Sequence, residues 1–219
     1  MMVKIILVRH GYSLTNKSRR FTGQMDVDLD EIGYKQAEIV SDYIFNNYKV
    51  DRIYSSDLKR AVNTVKPLAD RLGMTVETTK SLRELDVGKW ENVAIDEIAK
   101  LYPYTYANYV SKPWEVKCDG GESYADLLDR SLDGIRKIVC ENDGKTVVVA
   151  THGGVVRALR SVWSGIGIEN IISIPHVNNA SITEVEVDAE SGMATLGVIG
   201  YDKFLGDEMV SVALEYDKK

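Results

Sequence analysis

At 219 residues, 44% of them hydrophobic, the chain can bury one sizeable core, and the expectation is a single domain over 1–219. A formal net charge of −6 supplies no general attraction for nucleic acid or an anionic membrane, so an anionic ligand would be small and held by a local cluster of positive groups. Two cysteines, Cys118 and Cys140, make no disulfide or metal framework, and no apolar run approaches the roughly 20 residues of a membrane span; a cytoplasmic protein, monomer or homodimer, is expected.

The first predicted element is a buried parallel strand, Lys4 to Val8, that ends abruptly in Arg9-His10-Gly11. A polar segment from Tyr12 to Asp30 follows with no clear period and reads as a binding loop. Apolar residues at Ile39, Val40, Tyr43, Ile44 and Tyr48 predict a helix from about 31 to 48, and 51–55 the next strand. Ser56 is the expected N-cap of a second helix with the stripe Leu58, Ala61, Val62, Val65, Ala69 and Leu72, stopped by Gly73 and kinked or interrupted at Pro67. A short edge strand is expected at 74–79 and a charged loop at 82–90.

Residues 92–121 hold four tyrosines, Trp114 and two prolines, which suggests an excursion over the active site. Ser123 and Asp126 then form a capping-box pattern ahead of a regular helical stripe from Leu127 to Val139. The β-branched run Lys145 to Ala150 predicts a second buried strand, ending in Thr151-His152-Gly153-Gly154, with a helix over 154–163. Segments 181–187 and 193–199 alternate about a turn at 189–192, predicting a hairpin whose Glu184, Glu186 and Asp188 face water. Strand and helix in alternation imply an α/β fold, a three-layer α/β/α sandwich around a mostly parallel sheet.

Two strands that each end in His-Gly, in a chain with three histidines, place both imidazoles side by side at one sheet edge. Arg9, Arg60 and His152 could then surround a phosphoryl group while His10 attacks it. That attack needs one ring nitrogen unprotonated and the other held by an acceptor such as a backbone carbonyl, and Arg9 and Arg60 would disfavour imidazolium. His152, facing the phosphate, is expected to carry a proton. A carboxylic acid must protonate the leaving oxygen, and Glu84 is preferred to Asp86 and Glu91. His176 reads as structural, although its position just before Asn178-Asn179 could bring it to the site. A metal hydrolase is disfavoured because no metal-binding histidine spacing occurs and the arginines would repel a cation.

Leu7-Val-Arg-His-Gly11 with Ser13 and Asn16 resembles the signature of the histidine phosphatase superfamily, phosphoglycerate mutase-like branch. The resemblance extends in order along nearly the whole chain. It takes in Arg20-Phe-Thr-Gly23, Ser55-Ser-Asp-Leu-Lys-Arg-Ala61 with Thr64, Leu82-Arg-Glu84 with Gly88 and Trp90, Thr151-His-Gly-Gly-Val-Val-Arg157, and Asn179-Ala-Ser-Ile-Thr183. It implies His10 as nucleophile, Arg9, Arg60 and His152 as phosphate ligands and Glu84 as proton donor. Asn16, Thr22, Gly23 and Gly153 are implied to contact phosphate or substrate, with no metal and no cofactor. Tyr12 stands where relatives commonly have an acidic residue, and Ser13 where they have threonine. The excursion lacks the arginines with which the glycolytic mutases grip a second acidic group. The Gly-Gly-Val pattern after His152 is similar to broad-specificity and α-ribazole phosphatases. The implied activity is hydrolysis of small phosphate monoesters through phosphohistidine on His10, the alternatives being a cofactor-dependent phosphoglycerate mutase or a non-catalytic binding module.

Overall fold

The computed structural model describes residues 1–210. Its centre is a six-stranded sheet in the order β3-β2-β4-β1-β5-β6, built from β1 (Met2–Arg9), β2 (Arg52–Ser56), β3 (Val76–Thr79), β4 (Thr146–Thr151), β5 (Ile182–Asp188) and β6 (Ala194–Leu196). β3, β2, β4 and β1 run parallel, and β5 joins β1 antiparallel as the first arm of the hairpin with β6. Alternate residues of β1 feed two cores, as the two-residue side-chain period of a strand requires. Val3, Ile5 and Leu7 pack on one face beneath α6 (Tyr124–Glu141) and α7 (Gly153–Trp163); Ile6 and Val8 pack on the other beneath α2 (Glu31–Asn47) and α3 (Lys59–Leu72). The three-layer α/β/α expectation holds.

Several local expectations change. The polar segment contains a five-residue helix, α1 (Leu14–Ser18), made by a reciprocal cap between Ser13 and Asn16 rather than by any apolar period. Ser56 is not the N-cap of α3. It ends β2, and Leu58 takes the cap position without a side-chain bond. α3 also runs through Pro67 uninterrupted. The proline forfeits the hydrogen bond to the Asn63 carbonyl, a cost of about 3 kcal/mol in a helix interior, but Ala61, Thr64, Val65, Leu68 and Ala69 hold the helix against the core.

The excursion forms two helices, α4 (Ile95–Leu101) and α5 (Pro103–Ser111), with Pro103 at the first turn of the second. The second arm of the hairpin is shorter than expected. Glu184 does not simply face water, since it pairs with Lys4 at 2.7 Å and accepts the Tyr48 hydroxyl at 2.7 Å. Among the described residues no helix is long and apolar enough to cross a membrane.

Candidate active site

The parallel register pairs Arg9 with Thr151, so the next residues, His10 and His152, emerge side by side at the carboxyl ends of β1 and β4. Their ring centroids are 5.2 Å apart, and both side chains are buried. This is the edge at which parallel α/β sheets bind ligands.

His10 Nδ1 lies 2.7 Å from the carbonyl of Gly11, which assigns the proton to Nδ1 and leaves the Nε2 lone pair free. Burial first, then the Arg60 and Arg9 charges, lower the imidazole well below 6.5, so it is neutral near pH 7. The loop carrying it is tied at both ends. Gly11 N–H donates to the Thr64 hydroxyl at 2.8 Å, and the Asn179 amide donates to the His10 carbonyl at 2.9 Å. Both partners lie in segments that resemble the family and had no role assigned from sequence.

His152 was expected to carry a proton when it faces a phosphate, and the protein's own groups act against that charge. Burial, with Arg60, His10, Arg130 and Arg9 around it, drives its affinity for a second proton well below the usual value, which favours the neutral ring. Its Nε2 sits 2.9 Å from the Ser56 hydroxyl, and its Nδ1 has no hydrogen-bond partner among the described residues. The hydrogen bond fits either tautomer; the one in which Ser56 donates to Nε2 puts the ring proton on Nδ1, where it can meet a ligand oxygen. Burial of Ser56 at the end of β2 thus has a consequence that a helix-cap reading missed.

Arg60 is buried at the start of α3 and held by the carbonyls of Met25 at 2.7 Å and Gly23 at 2.9 Å, while its Nε has no partner among the described residues. Burial lowers it to about 10, which still leaves it charged at neutral pH. Gly23 presents its carbonyl from a backbone at φ +52°, the left-handed region that glycine adopts freely. Arg9 bonds the Val177 carbonyl across the sheet edge. A Cβ on Gly153 would come to 3.2 Å from Arg9 Nε, so glycine there leaves the guanidinium its room.

Asn16 and Thr22 line the same cavity of about 140 Å³ as His10, Arg9, Arg60 and Gly153. Asn16 commits Oδ1 to the cap with Ser13, and Thr22 donates to the Thr15 hydroxyl at 2.7 Å.

Glu84 is the one carboxylate lining the cavity among the described residues. Its neighbours pair elsewhere, Arg83 with Asp57 and Lys89 with Asp119. Glu84 instead accepts from the Leu85 N–H at 2.8 Å and from the Gly154 N–H, at the start of α7, at 3.1 Å. Asp86 is turned to Gly88 N–H, and Glu91 to Gln24 N–H at 2.6 Å.

Part of the cavity wall comes from the excursion, through Tyr106, Tyr109, Val110 and Pro113. His176 also reaches the cavity, where its Nε2 accepts from Arg157 at 3.0 Å. Burial and Arg157 lower it well below 6.5. No cluster of three or more His, Cys, Asp or Glu side chains able to hold a metal occurs among the described residues.

Residues 5–196 match the family model of the histidine phosphatase superfamily, branch 1. The chain belongs to that family. Among relatives of this histidine phosphatase, Arabidopsis thaliana phosphoglycerate mutase-like protein 4 is 36% identical over 71% of this chain and 69% of its own length. The Arabidopsis metal-independent phosphoserine phosphatase is 32% identical over 91% of this chain and 86% of its own. Among solved structures, mycobacterial glucosyl-3-phosphoglycerate phosphatase complexed with vanadate superposes with a TM-score of 0.82, at 27% identity, over 91% of this chain and 99% of the other. In this histidine phosphatase the expected residues therefore meet at one sheet edge, together with Ser56, Thr64, Gly154 and Asn179.

Proposed function

We propose that the chain hydrolyses small phosphate monoesters by passing the phosphoryl group through His10. The observation that carries the reading is the fixed His10 tautomer, which leaves Nε2 unprotonated beside the buried guanidinium of Arg60, the half-buried one of Arg9 and a second, neutral imidazole. Arg9, Arg60 and the His152 Nδ1–H hold the non-bridging oxygens, whose charge spreads as the phosphoryl group transfers. Nε2 forms a bond to phosphorus as the bond to the ester oxygen breaks, and Glu84 gives that oxygen its proton. Water then attacks phosphorus, Glu84 takes a proton from it, the N–P bond breaks, and inorganic phosphate leaves His10 as it began. Asn16, Thr22, Gly23 and Gly153 shape the cradle.

Hydrolysis is favoured over transfer to a second acidic substrate because the excursion meets the cavity with tyrosines, Val110 and Pro113 rather than cations. The similarity to a metal-independent phosphatase agrees with a site built on guanidinium charge.

The test is phosphate release from p-nitrophenyl phosphate in EDTA, by wild type and His10→Ala, with acid quenching to trap labile protein-bound phosphate. Hydrolysis by wild type that is lost with the labile phosphate in the variant supports the reading. Unchanged turnover by His10→Ala would overturn it.

A further inference from the structure

Glu84 sits in an irregular stretch, residues 83–87, between two short 3-10 turns, Lys80–Leu82 and Gly88–Trp90. No ladder fixes its backbone, and several carbonyls there lack a partner in regular structure. Gln24 Nε2 donates to the Glu84 carbonyl at 3.3 Å, and one further side chain holds the carbonyls on both sides of it as well. Arg130, on α6, donates from Nη1 to the carbonyls of Ser81 at 3.0 Å and Arg83 at 2.7 Å, and from Nη2 to the carbonyl of Glu84 itself at 2.7 Å. Its remaining edge faces Glu122, with Nε to Oε1 and Nη2 to Oε2 both at 2.8 Å. All five N–H groups of the guanidinium are therefore engaged. Glu122 closes the clamp from the far side. Its Oε2 accepts from Asp86 N–H at 3.0 Å, and its own N–H donates to the Asp86 carbonyl at 2.8 Å.

We propose that Arg130, braced by Glu122, is the positioning residue that aims Glu84 at the leaving oxygen. The inference rests on Glu84 being the proton donor of the proposed reaction. Neither Arg130 nor Glu122 lines the cavity, so neither touches substrate. Apart from the charge Arg130 presents to His152, which Arg130→Lys keeps, their effect reaches the reaction through the direction in which residue 84 leaves the backbone. Lysine would not substitute, because a single ammonium cannot reproduce a planar fork that spans three carbonyls and a carboxylate.

A residue acting through the proton donor has a signature that a merely structural one lacks. Expulsion of p-nitrophenolate needs little help from an acid, whereas an alkoxide needs a proton, and a positioned general acid is worth about a hundredfold to ten-thousandfold. The experiment compares kcat and KM for p-nitrophenyl phosphate and for β-glycerophosphate in wild type, Glu84→Gln, Arg130→Lys and the milder Glu122→Gln, with thermal melts to establish folding.

The expected result is a loss of kcat on the alkyl ester of about a hundredfold in Arg130→Lys, as for an ångström-scale misplacement. A smaller loss in Glu122→Gln should accompany it, with little change on the aryl ester and KM preserved. Equal losses on both esters, or none in folded protein, would overturn the clamp. If Glu84→Gln itself discriminates no more than wild type between the two esters, the proton-donor assignment falls and takes the clamp with it. If Glu84→Gln discriminates and the clamp variants do not, only the clamp falls.

Discussion

Gly154→Ala offers a sharp test of the acid's geometry, because stability and activity should move independently. A Cβ at residue 154 would lie well inside van der Waals contact with Glu84 Oε1, 3.2 Å from Glu84 Cδ and 3.4 Å from Leu127 Cδ2. The first of these contacts is with the end of a flexible side chain, so the backbone need not move. The carboxylate does. To regain ordinary contact it must swing by about an ångström, away from the Gly154 N–H it now accepts at 3.1 Å. At the second residue of α7 alanine gains less than the about 0.8–1 kcal/mol it has over glycine in a helix interior, which offsets part of the lost hydrogen bond of about 1 kcal/mol and leaves a small net loss. The melting temperature should therefore stay near that of wild type. Misplacement on this scale costs about a hundredfold in rate, and the loss should be larger for β-glycerophosphate than for p-nitrophenyl phosphate. Paired melts and steady-state kinetics on both esters read the outcome. A folded variant that keeps full turnover on the alkyl ester would refute the placement of Glu84 as proton donor.

Burial and neighbouring guanidiniums hold His10, His152 and His176 well below 6.5. Between those depressed values and about 6.5 the unfolded chain binds more protons than the folded one, so stability is full above the window and is lost as pH falls through it. Melts from pH 8 to pH 5 should show the decline, and a flat profile would contradict neutral burial of these rings. Arg60→Ala should abolish inhibition by vanadate or phosphate and lower stability, since two carbonyls lose their donor at about 1–3 kcal/mol each where no water reaches them. Retained vanadate inhibition would remove Arg60 from the cradle. Ser56→Ala releases the proton preference of His152, and phosphate inhibition should weaken severalfold while the fold persists; unchanged inhibition would show that the tautomer is set elsewhere.

What the sequence made legible and what it hid follow from different kinds of bond. His10 and His152 could be paired from sequence because each ends a β-branched run, and adjacent parallel strands in register bring such ends together. Arg60 and Glu84 came from the charge and proton a phosphoryl transfer needs, supported by the motif resemblance, and the structure lines one cavity with both. Pro67 suggests a kink because its local cost is set above the apolar stripe that holds α3 in place. The proton expected on His152 depends on a facing phosphate, whereas burial and the surrounding guanidiniums alone favour the neutral ring.

Arg130 left no trace in the pattern because three of the groups it holds are main-chain carbonyls, which every residue possesses and no sequence motif marks. Ser56 is a similar case, since a serine ahead of a helix reads as a cap until the neighbouring strand places His152 against its hydroxyl. Side chains that touch substrate are constrained in type and spacing, and so can be read in one dimension. Side chains that aim them act through backbone and through other strands, where identity is set by three-dimensional neighbours. In this chain that division separates Glu84, legible in the sequence, from Arg130, found only when the carbonyls around Glu84 were asked where their hydrogen bonds go.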